Sequence, residues 1–582
     1  MSTQTEAPAA APREQVPPRT IGRLWLDGVE RNGSRTAYLT ERNGEWRAVS
    51  WPEAAAVVDE LAHGLLARGI RKGDAFAVLA RTTLEWALFD FALAFVGAVA
   101  APVYATSSAK DARYVVEHSE SIGALCEDEE QLAKIEGLEL EQVLTYADLD
   151  DLRARGREHA REHPNAVLDT AAAIGEDDLF TYIYTSGTTG PPKACMITHR
   201  NYYEMVAAAD EMENFTREDD LLLLYLPLAH NFGRLMHLSA PHRGYAIAFL
   251  PEPLQVDDAL LQVRPTVLPS VPRVFEKVHT AVLARFDAET GLRKRLIDWA
   301  LRVGYRISAL EQRGERAPLA LALQRGLAAK LVYAKVLDRL GGRVRVGLSG
   351  GAPLAREIAE FFHAIGLLII EGYGLTEGTS AATVNRVDRF KFGTVGLALP
   401  GVELKLAEDG ELLIRGPMNF AGYYKDEEAT REILAEDGWL RTGDIAQIDE
   451  DGFVTITDRK KDIIVTAGGK NVAPQNLEND LKAHKEISQA LVIGDKRPYV
   501  SALVTLDPEA TAGLTDEEKQ TRVQEIVADV NRERSRFEQI KRFVILARDF
   551  SAEEGEVTPT LKLKRRVVTD HFASEIEQLY SS

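Results

Sequence analysis

Ten residues, Tyr184 to Lys193, read YTSGTTGPPK and follow Leu179–Ile183, a run whose aromatic and β-branched residues predict a short strand. A strand that opens into such a loop leaves few alternatives. Gly187 and Gly190 permit tight turns that offer backbone N–H groups to an anion. Ser186, Thr188 and Thr189 add hydroxyl donors, and Lys193 adds a positive charge. Together these groups suit a polyphosphate cradle, although a plain polar surface loop has similar ingredients. The pattern is not G-x-x-x-x-G-K-[ST], because Lys193 lies three residues beyond Gly190 and Ala194 follows it.

A chain of 582 residues exceeds one ordinary core, so two or more domains are expected. The net charge of −20 argues against general nucleic-acid binding, whose footprint is basic. Two cysteines, Cys126 and Cys195, make no disulfide framework and fit a reducing cytoplasm. Residues 1–18, rich in Ala, Pro and Glu, read as a flexible tail without a secretory signal. The apolar stretch Phe91–Ala105 is shorter than the roughly twenty residues of a membrane span, so it reads as a buried helix and strand.

Ser50-Trp51-Pro52-Glu53 predicts a capped helix start, and Gly69 its end. Ala75–Ala80 and Ala98–Tyr104 read as strands around a helix at Leu84–Phe95, a βαβ pattern that implies a largely parallel sheet. Residues 293–345 hold thirteen Lys and Arg against four Asp and Glu, in two helices broken near Arg316-Ala317-Pro318. This is either a solvated helical pair or a surface that meets anionic lipid or the phosphates of CoA. A boundary is expected at the charged run DRKKD: residues 19–457 form the large domain, 458–462 a hinge, and 463–582 a small α+β domain with strands near 463–465, 491–493, 502–506 and 543–546.

The decapeptide, with the following Met196–Asn201 (MITHRN), resembles the phosphate loop of the acyl-adenylate-forming (AMP-dependent synthetase/ligase) superfamily, which includes acyl-CoA synthetases, nonribosomal adenylation domains and firefly luciferase. Ala194 stands where that family usually has glycine. The resemblance implies an α/β fold: a large N-terminal domain of αβα-layered, mostly parallel sheets and a small mobile α+β lid. It assigns Thr185, Ser186, Gly187, Thr188, Thr189, Gly190 and Lys193 to the phosphates of ATP. Gly350, Gly351, Ala352 and Pro353 match one wall of the adenine site. Glu371, Gly372, Tyr373, Gly374, Thr376 and Glu377 match the next motif, with Tyr373 on adenine and Thr376 and Glu377 holding Mg²⁺, which prefers oxygen ligands. Asp444 and Arg459 match the ribose-binding pair, and Lys461 the hinge residue. Thr558–Arg565 (TPTLKLKR) aligns with the segment carrying a catalytic lysine, here Lys562 or, two residues on, Lys564; Leu561 replaces a usual glycine.

Two further segments resemble the long-chain fatty acid–CoA ligases. Leu226–Leu235 (LPLAHNFGRL) places His230 beside the acyl carboxylate, with Asn231 and Gly233 departing from the commoner H-x-F-E-R form; Arg264–Val278 contains SVPRVFEK. The implied reaction uses ATP and CoA to convert a long-chain fatty acid to its acyl-adenylate and then its thioester, at a cytoplasmic site with peripheral contact to the inner membrane through 293–345 and no transmembrane segment. The alternatives are an acyl-AMP ligase loading a carrier protein, a luciferase-like oxygenase, and a binding protein without catalysis.

Overall fold

A computed structural model describes residues 12–185, 191–532, 534–551, 553–558 and 563–581. The chain forms two compact units. The first runs up to Pro265 and takes back Leu375–Ala381 and Gly416–Gly438; the second comprises Thr266–Gly374, Ala382–Arg415 and the chain from Trp439 onward.

The first unit is built on a seven-stranded sheet. Gln142–Thr145, Gly123–Cys126, Ala75–Ala80, Val99–Tyr104 and Leu179–Thr185 lie side by side and parallel. Lys193–Thr198 and Gly422–Tyr423 then add antiparallel strands at one edge. Every residue of Ala75–Ala80 is buried, as expected of a strand covered on both faces. Helix Trp51–Ala67 begins with the expected capping box, in which the Ser50 hydroxyl accepts from the Glu53 N–H and the Glu53 carboxylate accepts from the Ser50 N–H. Helix Leu84–Val96 is buried apart from Glu85, and strand Val99–Tyr104 follows it. Phe91–Val103 is therefore core, with Tyr104 and Ala105 partly exposed. Among the described residues no helix is long and apolar enough to cross a membrane. The same unit pairs Leu221–Leu224, Ala246–Phe249 and Thr36–Arg42 in parallel, with Glu45–Ser50 antiparallel beyond them.

The end of the segment read as a flexible tail is packed down. Val16 is buried, and Arg13 pairs with Asp27 at 2.9 Å and Glu30 at 2.7 Å. The burial of its one valine is hidden in the sequence by the polarity of the neighbouring residues.

In the second unit, Val267–Ser270, Val346–Ser349 and Leu368–Tyr373 are parallel, with two short antiparallel strands after them. The basic region forms helices Gly291–Gln312 and Leu319–Ala328, broken at 313–318. A four-stranded antiparallel sheet of Glu403–Leu406, Glu411–Arg415, Leu440–Ile448 and Val454–Arg459 precedes the linker. Asp458 and Arg459 thus belong to a strand, and the irregular link begins at Lys460. Beyond it, Ile487–Ile493, Val500–Leu506 and Ile540–Ile545 form a three-stranded sheet with its own cores, one around Leu477, Val504 and Val527 and another around Leu503, Val568 and Leu579.

Candidate active site

In the first unit, strands Leu179–Thr185 and Lys193–Thr198 are the two arms that carry the glycine-rich loop, with Thr185 directly opposite Lys193. Ser186, Gly187, Thr188, Thr189 and Gly190 lie outside the described residues. Lys193 Nζ sits 3.0 Å from Asp426 and 5.2 Å from the centre of the Tyr423 ring. The Tyr423 hydroxyl donates to Glu377 Oε1 at 2.6 Å. The turn Thr376–Gly378 is docked against the same segment, because Phe420 N–H donates to the Glu377 carbonyl at 2.8 Å and the Thr379 hydroxyl donates to the Met418 carbonyl at 2.5 Å. A cation, a phenol and a carboxylate thus stand in sequence at the end of the loop-bearing strand pair.

His230 enters from helix Asn231–Arg243, where it is the N-cap and its Nδ1 accepts from the Phe232 N–H at 3.2 Å. The two departures noted in the sequence have physical causes. Asn231 is buried; its carbonyl accepts from the Tyr202 hydroxyl at 2.6 Å and its amide donates to the Thr376 carbonyl at 3.3 Å. Asn231 therefore ties the His230 turn to the Thr376–Glu377 turn. At Gly233 a Cβ would lie 2.6 Å from the Pro227 carbonyl oxygen, so no larger residue fits without a shift. Further along the helix, fully buried Arg234 donates to Asp90 and, at 2.8 Å, to Thr181 on the loop-bearing strand. This ion pair locks helix and strand together, and burial of both partners makes removing either one costly.

In the second unit, the Tyr373 hydroxyl donates to Asp444 Oδ2 at 2.5 Å. Arg459 Nε lies 3.3 Å from Asp444 Oδ1, placed there by the direct strand pairing of Asp444 with Arg459. Three residues assigned to adenine and ribose therefore form one cluster. Burial and the neighbouring Asp444 carboxylate keep the Tyr373 phenol protonated, its pKa raised well above the ordinary value. Glu371, on the same strand as Tyr373, is buried and accepts from the Leu354 N–H at 2.9 Å, which fixes the Gly350–Pro353 loop to that strand. Gly351 has φ of +85°, a conformation that favours glycine. Burial pushes the Glu371 carboxyl up to about 7 and that of Asp458 up to about 6.

Lys461 follows the strand ending at Arg459, in a turn closed by Asp462 N–H donating to the Arg459 carbonyl at 2.9 Å. Lys562 lies outside the described residues, but its C-terminal flank is firmly held. Arg565 makes two bonds to Glu478, at 2.7 and 2.6 Å, and its Nε approaches Asp462 at 3.9 Å. Lys564 N–H donates to the Glu556 carbonyl, while its side chain is exposed. Tyr423, Asp426, Arg234 and Glu478 were not singled out in the sequence. Their partners are distant in the chain, and the one local hint was the adjacent pair Tyr423-Tyr424 after Gly422.

Arg273, within the long-chain-type segment, donates to the Ser488 carbonyl at 2.5 Å and hydroxyl at 2.7 Å, and Lys482 pairs with Glu276 at 3.6 Å. Part of that segment thus clasps the C-terminal region, while Val267, Leu268 and Phe275 are core.

The α/β architecture and the clustered motifs are those of adenylate-forming enzymes. The chain belongs to the AMP-binding enzyme family: its profile matches residues 26–424, and that of the AMP-binding enzyme C-terminal domain matches 461–582. Long-chain-fatty-acid–CoA ligase FadD15 of Mycobacterium tuberculosis is 40% identical over 566 residues, covering 93% of each protein. Long-chain-fatty-acid–CoA ligase ACSBG2 of Xenopus laevis is 30% identical, covering 97% of this chain and 84% of its own. The adenylation domain of a carboxylate reductase from Mycobacterium chelonae superposes with a TM-score of 0.77 at 22% identity, covering 99% of this chain and 94% of that one. The anthranilate CoA ligase AuaEII gives 0.74 at 18%, covering 96% and 98%. At those identities the two structures share the fold.

Proposed function

We infer that the chain is an AMP-forming ligase that joins a long-chain fatty acid to CoA through an acyl-adenylate. The observation that carries this reading is the Lys193–Tyr423–Glu377 series beside a phosphate-type loop, in a chain 40% identical to a long-chain-fatty-acid–CoA ligase. The donor set fits Mg·ATP. Tyr423 holds Oε1 of Glu377, so Glu377 Oε2 and the Thr376 hydroxyl are the oxygen ligands that would hold Mg²⁺. When bound, Mg²⁺ would neutralise phosphate charge.

In the first step a carboxylate oxygen of the fatty acid attacks the α-phosphorus and pyrophosphate leaves. In the second the CoA sulfur attacks the acyl carbon and AMP leaves. No covalent nucleophile of the protein is needed, so catalysis rests on positioning and on charge met by fixed donors. Lys193 and the loop residues meet the phosphates, and His230 stands at the acyl carboxylate. Tyr373, Asp444 and Arg459 hold the nucleoside, the Asp444 carboxylate exchanging its present donors for the ribose hydroxyls. Lys562 neutralises charge in the first step. The region 463–582 acts as a lid that turns about 458–462 between the steps. We further propose that the enzyme works in the cytoplasm and touches the inner membrane peripherally through 293–345.

The test incubates the chain with palmitate, Mg·ATP and CoA, and follows AMP, pyrophosphate and palmitoyl-CoA. Stoichiometric AMP and thioester are expected. Adenylate that accumulates and passes only to a carrier-protein thiol would favour the acyl-AMP ligase reading, light output the oxygenase reading, and no nucleotide turnover a binding protein.

A further inference from the structure

We propose that an exposed leucine ladder on the basic helical pair docks the enzyme onto an anionic phospholipid bilayer, an inference that rests on the ligase reading and assigns its membrane contact to named side chains. Six of the twelve exposed large hydrophobic side chains among the described residues fall within 292–331. Four of them repeat every fourth residue: Leu319, Leu323, Leu327 and Leu331, at 86%, 76%, 52% and 41% exposure. The core of the same helix is a different stripe. Leu321 packs with Val303 and Ile307, and Ala328 and Val332 are buried with it. A helix with one apolar stripe in the core and a second in water is built to meet two apolar environments.

The charge around the ladder identifies the second environment. Residues 293–345 carry nine more basic than acidic residues, whereas the whole chain carries a net −20. Arg316 is exposed in the break just before the ladder helix, and Lys330 and Lys335 are exposed on its helical continuation. An anionic bilayer would repel most of an acidic protein and attract this face, so charge both binds and orients the enzyme. A second copy is the poorer occupant, because a two-fold contact would set one basic patch against its twin. The substrate adds a reason for the location, since a long acyl chain resides in the bilayer and enters a docked enzyme without crossing water.

The test sediments the full chain with phosphatidylcholine vesicles, with or without phosphatidylglycerol, at low and high salt. The unsubstituted chain should partition onto the anionic vesicles at least about tenfold more than onto neutral ones, an excess that salt removes. Leu323→Glu with Leu327→Glu should abolish that excess while leaving ligase activity on dodecanoate in solution unchanged. Both side chains are exposed, and the soluble assay reports an intact fold. Lys330→Glu with Lys335→Glu should weaken the anionic preference in the same direction. Equal partitioning of the leucine variant and the unsubstituted chain, or no anionic preference in the unsubstituted chain, would overturn the proposal. So would sedimentation velocity showing that the leucine substitutions split a dimer while vesicle binding stays the same. Failure of the unsubstituted chain to form acyl-CoA would instead overturn the ligase reading, whatever the vesicles show.

Discussion

Glu377 is steered by a single phenol. The Tyr423 hydroxyl spends its hydrogen bond on Oε1, and the same ring lies under the Lys193 ammonium. Tyr423→Phe removes one bond to a charged acceptor, typically about 1.5–3 kcal/mol. We expect the KM for Mg·ATP to rise about ten- to a hundredfold, because Glu377 no longer has a fixed direction. The KM for fatty acid should hold. A reversed pattern in initial-rate kinetics would mean that Tyr423 serves the acyl pocket instead. Glu371 makes a different prediction. Burial raises its folded pKa from 4.5 to about 7, so the folded state binds the proton more tightly than the unfolded one. Its contribution is full below about pH 4.5 and is lost as pH rises through about 7, amounting to about 3 kcal/mol. Glu371→Gln keeps a neutral acceptor for the Leu354 N–H and removes the titration. Urea unfolding from pH 5 to 8 should show the unsubstituted chain losing stability relative to the variant; parallel curves would contradict this.

At the level of elements, the hold on Arg565 matters more than the polarity of TPTLKLKR suggests. Glu478, buried on helix Pro474–Lys482, takes both Arg565 bonds and also accepts from the Val492 N–H at 2.7 Å. Glu478→Gln should loosen the segment three residues from Lys562. Adenylation should then fall, in the same direction as the larger loss of about 10² to 10³ expected for Lys562→Ala, while CoA attack on supplied adenylate persists. Equal loss of both steps would show that Glu478 only stabilises the fold. Elements with regular patterns were legible: the Ser50 capping box and the apolar runs at 75–80, 84–95 and 98–104 gave helices and strands within a residue or two. The hinge expected to begin at Asp458 begins later, because Asp444 and Ile445 pair with Arg459 and Asp458 and so extend strand Val454–Arg459 through two polar residues. Motif residues were legible by resemblance, but their supports were not. Glu377 and Tyr423 are 46 residues apart, and Asp90 and Arg234 are 144 apart, distances at which no periodicity operates.

For the whole molecule, two reactions with different geometry require backbone that can turn between them. The link after Arg459 is short and irregular, followed by a region with cores of its own. Lys461→Pro fixes φ there and removes an N–H. Adenylation should survive while thioester formation collapses, as measured by single-turnover assays of each step. Equal loss of both, with circular dichroism unchanged, would count against rotation at this residue.

The central claim is that the adenylated acid is a long aliphatic chain. Each methylene taken out of water is worth roughly 0.8 kcal/mol, or about fourfold in affinity, for as long as the protein buries the added carbons. Measured with Mg·ATP and CoA under one set of conditions, kcat/KM for acetate, octanoate, dodecanoate and palmitate should rise by about that factor per methylene and continue past about twelve carbons. A maximum at acetate or octanoate, or a better rate with an aromatic acid, would contradict the account.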